Sequence, residues 1–434
     1  MERLLKYITL EDPNVRFVVV AIVLLGGVSG MVGSFNFLRK KTLVGETVAH
    51  SMLPGVLIAF ILSGVKSPII MILGAAFTGW MSIWLVDYIT QKSKIKSDSA
   101  LAIVLSSFFG LGIVLLTMIQ SNFSGNQSGL DHYIFGNAAA MTPQDSVTFA
   151  VVCIVVLVLV VSSYLSIKAT IFNSDFAQSI GISRKKIDVL ISILTILTIS
   201  VGIKAVGIVM MSALLIIPPT AARFWTDRLV PMLLISGFFG ALGGWLGSFI
   251  SYYETNMPTG PLTIVCVSII AFASMMFAPK KGIIYQRWNK LLLRRRINEE
   301  NLLKAAVQNE VRGKGKLFDR TQINKRQYFE QKLWYRTINR LKNKGFIYKV
   351  HTGYTLSMAG RNYGADIDRR HKIWEVYLQR RMQMSINLVH DEAETMEHFL
   401  TPEIEGEILR ELGLCSRFNP LLEIHEIVPD PDIV

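Results

Sequence analysis

Glu46 and His50 lie four residues apart in LVGETVAHSMLPGVLIAF (Leu43–Phe60), an otherwise apolar run. That spacing puts both side chains on one helix face. A carboxylate and an imidazole there make a partial shell for a divalent transition metal. Pro54 adds a third group, because without an N–H it leaves the carbonyl of His50 lacking its helical donor. Ionisable groups inside a membrane are costly and line cavities or pathways. The competing reading is a helix-end pair whose polar tips snorkel to the interface.

Two more sets carry ligand chemistry. Asp131-His132 sits in GLDHYIFGNAAAMTP, a Gly/Ser/Asn-rich loop (Ser121–Asp145). It either receives a metal at an outer mouth or is ordinary solvated loop chemistry. Near the C-terminus, His371 and Glu375 are four apart, and His390, Glu394 and Glu397 follow at steps of four and three, with His398 beside them. That density on two helices favours metal binding over an amphipathic pair, whose surface ion pairs would contribute little.

Composition separates the elements that must position these groups. Residues 1–280 hold 18 Lys+Arg and 12 Asp+Glu, whereas the remaining 154 hold 27 and 20. A membrane part therefore precedes a soluble part. Phe17–Leu38, Pro68–Val86, Ser99–Leu130, Ser146–Ile167, Val189–Ala222, Leu229–Tyr253 and Thr255–Pro279 are nearly free of charge. At about 20 residues per span, and with Val189–Ala222 long enough for two shortened helices, about nine spans are expected. The basic clusters Arg39-Lys40-Lys41, Lys92-Lys94-Lys96, Arg184-Lys185-Lys186, Arg223/Arg228 and the run after Lys280 all fall on the cytoplasmic side if the N-terminus is outside. Cys153 and Cys266 lie in apolar runs and Cys415 in the soluble part, so no disulfide framework is indicated. No cleavable signal peptide is expected.

Ile171–Asp188 (IFNSDFAQSIGISRKKID) carries Phe172, Phe176, Ile180 and Ile182 as an apolar set; Asn173 or Ser174 can cap a short helix and Gly181 can end it. Such a helix suits docking to a peripheral subunit, or lies flat on the bilayer. GIVMMSALLIIPPTAARFW (Gly207–Trp225) is expected to break or kink at Pro218-Pro219. No G-x-x-x-x-G-K-[ST] motif is present, so no nucleotide is assigned to this chain. Arg287–Arg296 reads as a basic amphipathic helix on membrane lipid. Residues 299–360 read as a winged-helix pattern of three helices and a hairpin around His351-Thr352-Gly353. Lys332, Arg336, Arg340 and Lys342 face either DNA phosphates or solvent on a protein-binding module. Trp334 and Tyr335 argue against base reading.

GETVAHSMLPGVLIAF, GLDHYIFGNAAAMT, FNSDFAQSIGIS and GIVMMSALLIIPPTAAR together resemble the permease subunit of ATP-binding-cassette importers for manganese, zinc or iron. The resemblance implies a homodimer in the bacterial inner (plasma) membrane, separate ATPase subunits and an extracytoplasmic metal-binding protein. By motif, Glu46 and His50 take the place of a pathway metal site, and Phe172, Asn173, Asp175, Phe176, Ala177 and Gly181 that of the ATPase-coupling helix. The family commonly has Asp where this chain has Glu46.

LSMAGRNYGADIDRRHKIWEVYL and LVHDEAETMEHFL resemble the metal-sensing and dimerisation region of iron- and manganese-dependent (DtxR-like) repressors. His371, Glu375 and His390 match one family metal site; Glu394, Glu397 and His398 match the other. Ligands that complete the latter fall near Asn301 and Lys304, which are poor ligands. The expected fold class is an all-α polytopic membrane domain of about nine spans (1–280), a basic linker helix (281–298), a cytoplasmic winged-helix-like domain (299–360), and a helical metal-binding and dimerisation domain with a tail (361–434). A membrane-tethered, metal-dependent DNA-binding regulator is the second reading. An ion-gradient transporter ranks third, since the spans offer few acids beyond Glu46 and Asp87.

Overall fold

The computed structural model describes residues 7, 13–64, 67–122, 136, 141, 143–254, 257–313, 315–325, 327–351, 353–382, 396 and 402–412. The chain forms two compact units, Met1–Gln286 and Arg287–Val434. Among the described residues nine helices are long and apolar enough to cross a membrane. They are α1 (Pro13–Leu38), α2 (Leu43–Ser63), α3 (Pro68–Lys92), α4 (Ser97–Asn122), α5 (Pro143–Ser162), α8 (Arg184–Val206), α9 (Ile208–Trp225), α10 (Leu229–Tyr253) and α11 (Thr259–Phe277). Two short helices, α6 (Tyr164–Phe172) and α7 (Ser174–Ser179), stand between α5 and α8.

In this unit α1 packs along α10 and α9, and α2 packs against α3, α4, α8 and α9. The long apolar run after Val189 divides at Gly207, whose φ of 86° places it in the left-handed half of backbone space. Gly136, in the stretch between α4 and α5, lies against the backbone of Val206 and Gly207, so the break is covered by protein.

Of the two expected outcomes at Pro218-Pro219, a break or a kink, the break does not occur, and α9 runs through both prolines. Pro219 deprives the carbonyl of Leu215 of its donor. That carbonyl lies against Gly33 of α1, where a Cβ would sit 1.9 Å from the oxygen. A lipid-facing orphan is thereby avoided. Gly33→Ala is expected to destabilise the fold by about 3 kcal/mol, the upper end for overpacking, because backbone would have to yield. Gly27→Ala, whose Cβ would meet nothing nearer than 3.7 Å, is the control. Thermal unfolding of the solubilised protein separates the two, and equal midpoints would refute the account.

Three ion pairs tie helix ends together. Arg39, after α1, meets Asp188 at the start of α8 at 2.5 Å. Lys204, near the end of α8, meets Asp145 at the start of α5 at 2.7 Å. Lys281, after α11, meets Asp227 between α9 and α10. Each pair joins ends that alternating spans put on one side. The Lys281 hydrogen bond holds the Asp227 carboxyl below the usual carboxylate range, with Arg223 adding to it.

The second unit is built on α12 (Ile283–Val311), β1 (Leu317–Phe318), α13 (Arg320–Ile323), α14 (Gln331–Asn343), β2 (Ile347–Val350), β3 (Gly353–Leu356), α15 (Met358–Met382) and α16 (Pro402–Glu411). Two helices were expected where α12 runs as one. No Gly or Pro interrupts Arg287–Val311, and Arg296 pairs with Glu300 at 2.7 Å across the expected junction. The strands form an antiparallel sheet in the order β1-β3-β2. Leu302, Leu303, Ala306 and Val307 of α12 share a core with Phe318, Trp334, Ile338 and Leu341. Asp319 caps α13 in a capping box with Gln322.

Candidate functional site

Helix α2 presents Glu46 and His50, each half-buried. The His50 ring stands edge-on to Phe109 of α4, with centroids 4.9 Å apart. Its Nδ1 is buried and has no hydrogen-bond partner. An unsatisfied imidazole nitrogen at membrane depth is expensive. Glu46 makes no hydrogen bond or ion pair among the described residues, and Pro54 lies inside the helix. The carbonyl of His50 therefore has no N–H to receive from position 54.

No group of three or more His, Cys, Asp or Glu side chains gathers in ligand range among the described residues. Among the described residues Glu46 and His50 therefore offer at most two side-chain ligands. Such a set leaves most coordination positions to water, to a carbonyl or to a second subunit. Weak, incomplete coordination suits an ion that must enter and leave. Asp131 and His132 lie outside the described residues.

Between α6 and α8 the backbone forms a compact corner. The Asn173 side chain accepts from the N–H of Phe176 at 3.0 Å and caps α7. Ser174 donates to Asp175 at 3.3 Å, Ala177 is buried, and Gly181 closes the turn at φ 85°. Phe172 and Phe176 are 59% and 56% exposed, and Ile180 stands with them. Ile182 is the exception to the expected apolar set: it packs on the membrane core. Three exposed apolar residues at steps of four form an apolar ridge on a polar corner.

In the second unit, His371 and Glu375 of α15 are in contact, Nε2 to Oε1, at 3.0 Å. The histidine side chain is 3% exposed. A buried imidazole touching a carboxylate suits a divalent transition metal. His390, Glu394, Glu397 and His398 lie outside the described residues. Asn301 and Lys304, the positions where the family's completing ligands were expected to fall, are both buried on α12. Polar bridges join α12 to α15: Tyr363 donates to Glu300 at 2.6 Å, Arg361 grips Glu310 at 2.7 and 3.0 Å, and Gln308 donates to Asp368 at 2.6 Å. Burial, then the Glu300 contact, pushes the Tyr363 hydroxyl pKa up.

Of the basic residues expected on α14, Lys332, Arg336 and Lys342 are exposed. Arg340 is drawn inward to Glu299 at 3.2 Å, and Lys344 joins the same carboxylate at 2.5 Å. Trp334 is not on the outer face. It is buried among Phe318, Phe329 and Tyr354, so only Tyr335 stands there as a bulky aromatic.

Sequence reasoning missed the Lys204–Asp145 pair. The reason is that 59 positions separate them and no motif links them.

Comparison with known proteins gives two family matches. The ABC 3 transport family matches residues 11–278, and the iron dependent repressor, metal binding and dimerisation domain matches residues 357–419. The manganese transport system membrane protein MntC of Bacillus subtilis is 34% identical over 380 residues, covering 87% of each chain. The zinc transport system membrane protein TroC of Treponema pallidum is 36% identical over 280 residues, covering 64% of this chain and 94% of its own. Among solved structures, PsaBC from Streptococcus pneumoniae in complex with Fab aligns with a TM-score of 0.58 at 29% identity. That alignment covers 66% of this chain and 99% of the other.

Proposed function

Because the chain belongs to the ABC 3 transport family, we propose that it is the membrane-spanning subunit of an ATP-driven importer for divalent manganese, zinc or iron. The observation that carries this is the buried, unsatisfied Nδ1 of His50 one helical turn after Glu46. The manganese and zinc transport names of the relatives support the cargo class. On this reading an extracytoplasmic binding protein hands over the ion. Glu46 offsets part of its charge, and the neutral imidazole of His50 supplies a nitrogen ligand. The ion then leaves inward as separate ATPase subunits move the helices of a homodimer.

The basic clusters support an N-terminus outside and a cytoplasmic second unit, in a bacterial plasma membrane. The ridge of Phe172, Phe176 and Ile180, held by Asn173, Asp175, Ala177 and Gly181, is the ATPase contact. The order helix, strand, helix, helix, hairpin in the second unit supports a winged-helix reading for residues 299–360. Uptake of each metal by the reconstituted complex tests the assignment, and a complex that moves none of the three would overturn it.

The tail is read as a cytoplasmic metal sensor that throttles transport. His371 and Glu375, with His390, would hold the ion. The second repressor-type set, Glu394, Glu397 and His398, would be completed in the family by ligands falling near Asn301 and Lys304, which are poor ligands. The α12–α15 bridges join the two helices through side chains alone, and the poor ligands at Asn301 and Lys304 weigh against metal-triggered DNA binding. In proteoliposomes, uptake by the full chain is expected to fall at least about 5-fold as internal metal rises, a typical coupling. A chain lacking residues 297–434 should not respond. Identical responses would sink the sensor reading.

A further inference from the structure

Helix α8 is clamped at both ends. At its start Asp188 accepts from the largely buried Arg39 guanidinium at 2.5 Å, with Arg184 3.9 Å away. Sixteen residues on, about 24 Å along the helix, Lys204 Nζ lies 2.7 Å from both oxygens of Asp145. Asp145 is 1% exposed, although it belongs to a membrane-spanning helix. The pair borders a small cavity lined by Val56, Met71, Thr148, Phe149 and Ser200. Val56 lies on the pathway helix α2, six residues or about 9 Å beyond His50.

Lys204 is 31% exposed, so the pair has one buried and one half-buried partner, and such a pair is poor glue. Apolar side chains of similar volume hold two helices as well or better, while removing one partner strands a charge in a low-dielectric interior. A pair kept at such a place serves best where it must make and break. The geometry supplies the drive. Helix α8 begins three residues after Gly181, so the corner carrying Phe172 and Phe176 is continuous with its inner end. A push there reaches Lys204 through one unbroken helix that contains no Gly or Pro except Gly202.

We propose that the Lys204–Asp145 bridge is the extracytoplasmic latch of the transport cycle. Closed, it holds the outer ends of α5 and α8 together beside the outer half of α2. It parts once per cycle, when the coupling corner moves α8. The inference rests on the pathway and coupling assignments above.

The test uses the complete complex with its ATPase and its metal donor. Asp145→Leu/Lys204→Met removes both charges together and so strands neither. If the pair only stabilises the fold, this double variant transports with the wild-type ratio of metal moved to ATP hydrolysed, and the proposal is overturned. If the pair is the latch, the variant assembles, hydrolyses ATP at least 3-fold faster than wild type without metal donor, and moves at least 10-fold less metal per ATP. A second measurement does not depend on that variant's folding. Thr148→Cys, placed in a chain lacking its three native cysteines, is exposed to a membrane-impermeant thiol reagent from outside. With the pair intact, labelling is expected to change at least 5-fold between nucleotide-free and nucleotide-trapped complexes. An unchanged rate overturns the proposal. Labelling is read without cargo metal, so it reports on the latch even if the metal site at Glu46 and His50 is misassigned.

Discussion

Replacing His50 by alanine is expected to cut metal uptake about 100-fold, equivalent to ~2.7 kcal/mol of lost transition-state stabilisation. The loss should reach that size because, among the described residues, no third His, Cys, Asp or Glu joins Glu46 and His50. Removing the imidazole leaves a lone carboxylate, whose attraction for a hydrated divalent ion is neither selective nor oriented. The same replacement should be mild for the fold. Nδ1 has no hydrogen-bond partner to lose, and the edge-on contact with Phe109 is worth about 0.5–1.5 kcal/mol. A folded protein that no longer transports is therefore the expected result. The measurement is uptake of manganese, zinc and iron by the reconstituted complex. If one metal is lost and the others were never carried, the cargo is named as well. Normal uptake by His50→Ala would make α2 a packed helix and no more. Glu46→Gln should fall in the same direction by a smaller factor, since the amide keeps one oxygen donor and loses the charge.

Phe176→Asp is expected to weaken association with the ATPase at least about 30-fold, matching the ~2 kcal/mol of an interface hot spot. Phe176 is more than half exposed, so the fold should lose no more than about 0.5 kcal/mol. The Asn173 cap and the Gly181 turn stay intact, because neither uses the Phe176 side chain. Phe172→Asp, one turn earlier on the same ridge, should behave alike. Co-purification of the ATPase and its titration against the solubilised permease give the answer. If association is unchanged, the corner rests on the bilayer. The same substitution would then shift lipid binding instead.

Much of the membrane unit was legible because the bilayer imposes a simple rule. A span needs about 20 apolar residues, and basic residues stay inside. The short corner was legible too, since Asn before a helix and Gly after it act locally. Local rules also misled. Pro218-Pro219 looked like a break or a kink, but the neighbouring Gly33 accommodates the freed carbonyl of Leu215 and the helix continues. The true break, at Gly207, is covered by Gly136 from a different loop. Trp334 looked like an obstacle on an outward face until the sheet showed that face to be the core.

What the sequence determined by itself was the set of groups and their local spacing. Glu46 with His50, and His371 with Glu375, each share a face because 3.6 residues make a turn. Tertiary structure decided which of these groups are left unsatisfied and which are paired. It left His50 Nδ1 without a donor or acceptor, drew Arg340 inward to Glu299, and brought Lys204 to Asp145 across 59 residues. Those outcomes depend on burial and on contacts between distant segments. Desolvation acts on a charge only once other helices exclude water from it, and a local pattern carries no record of which helices those will be.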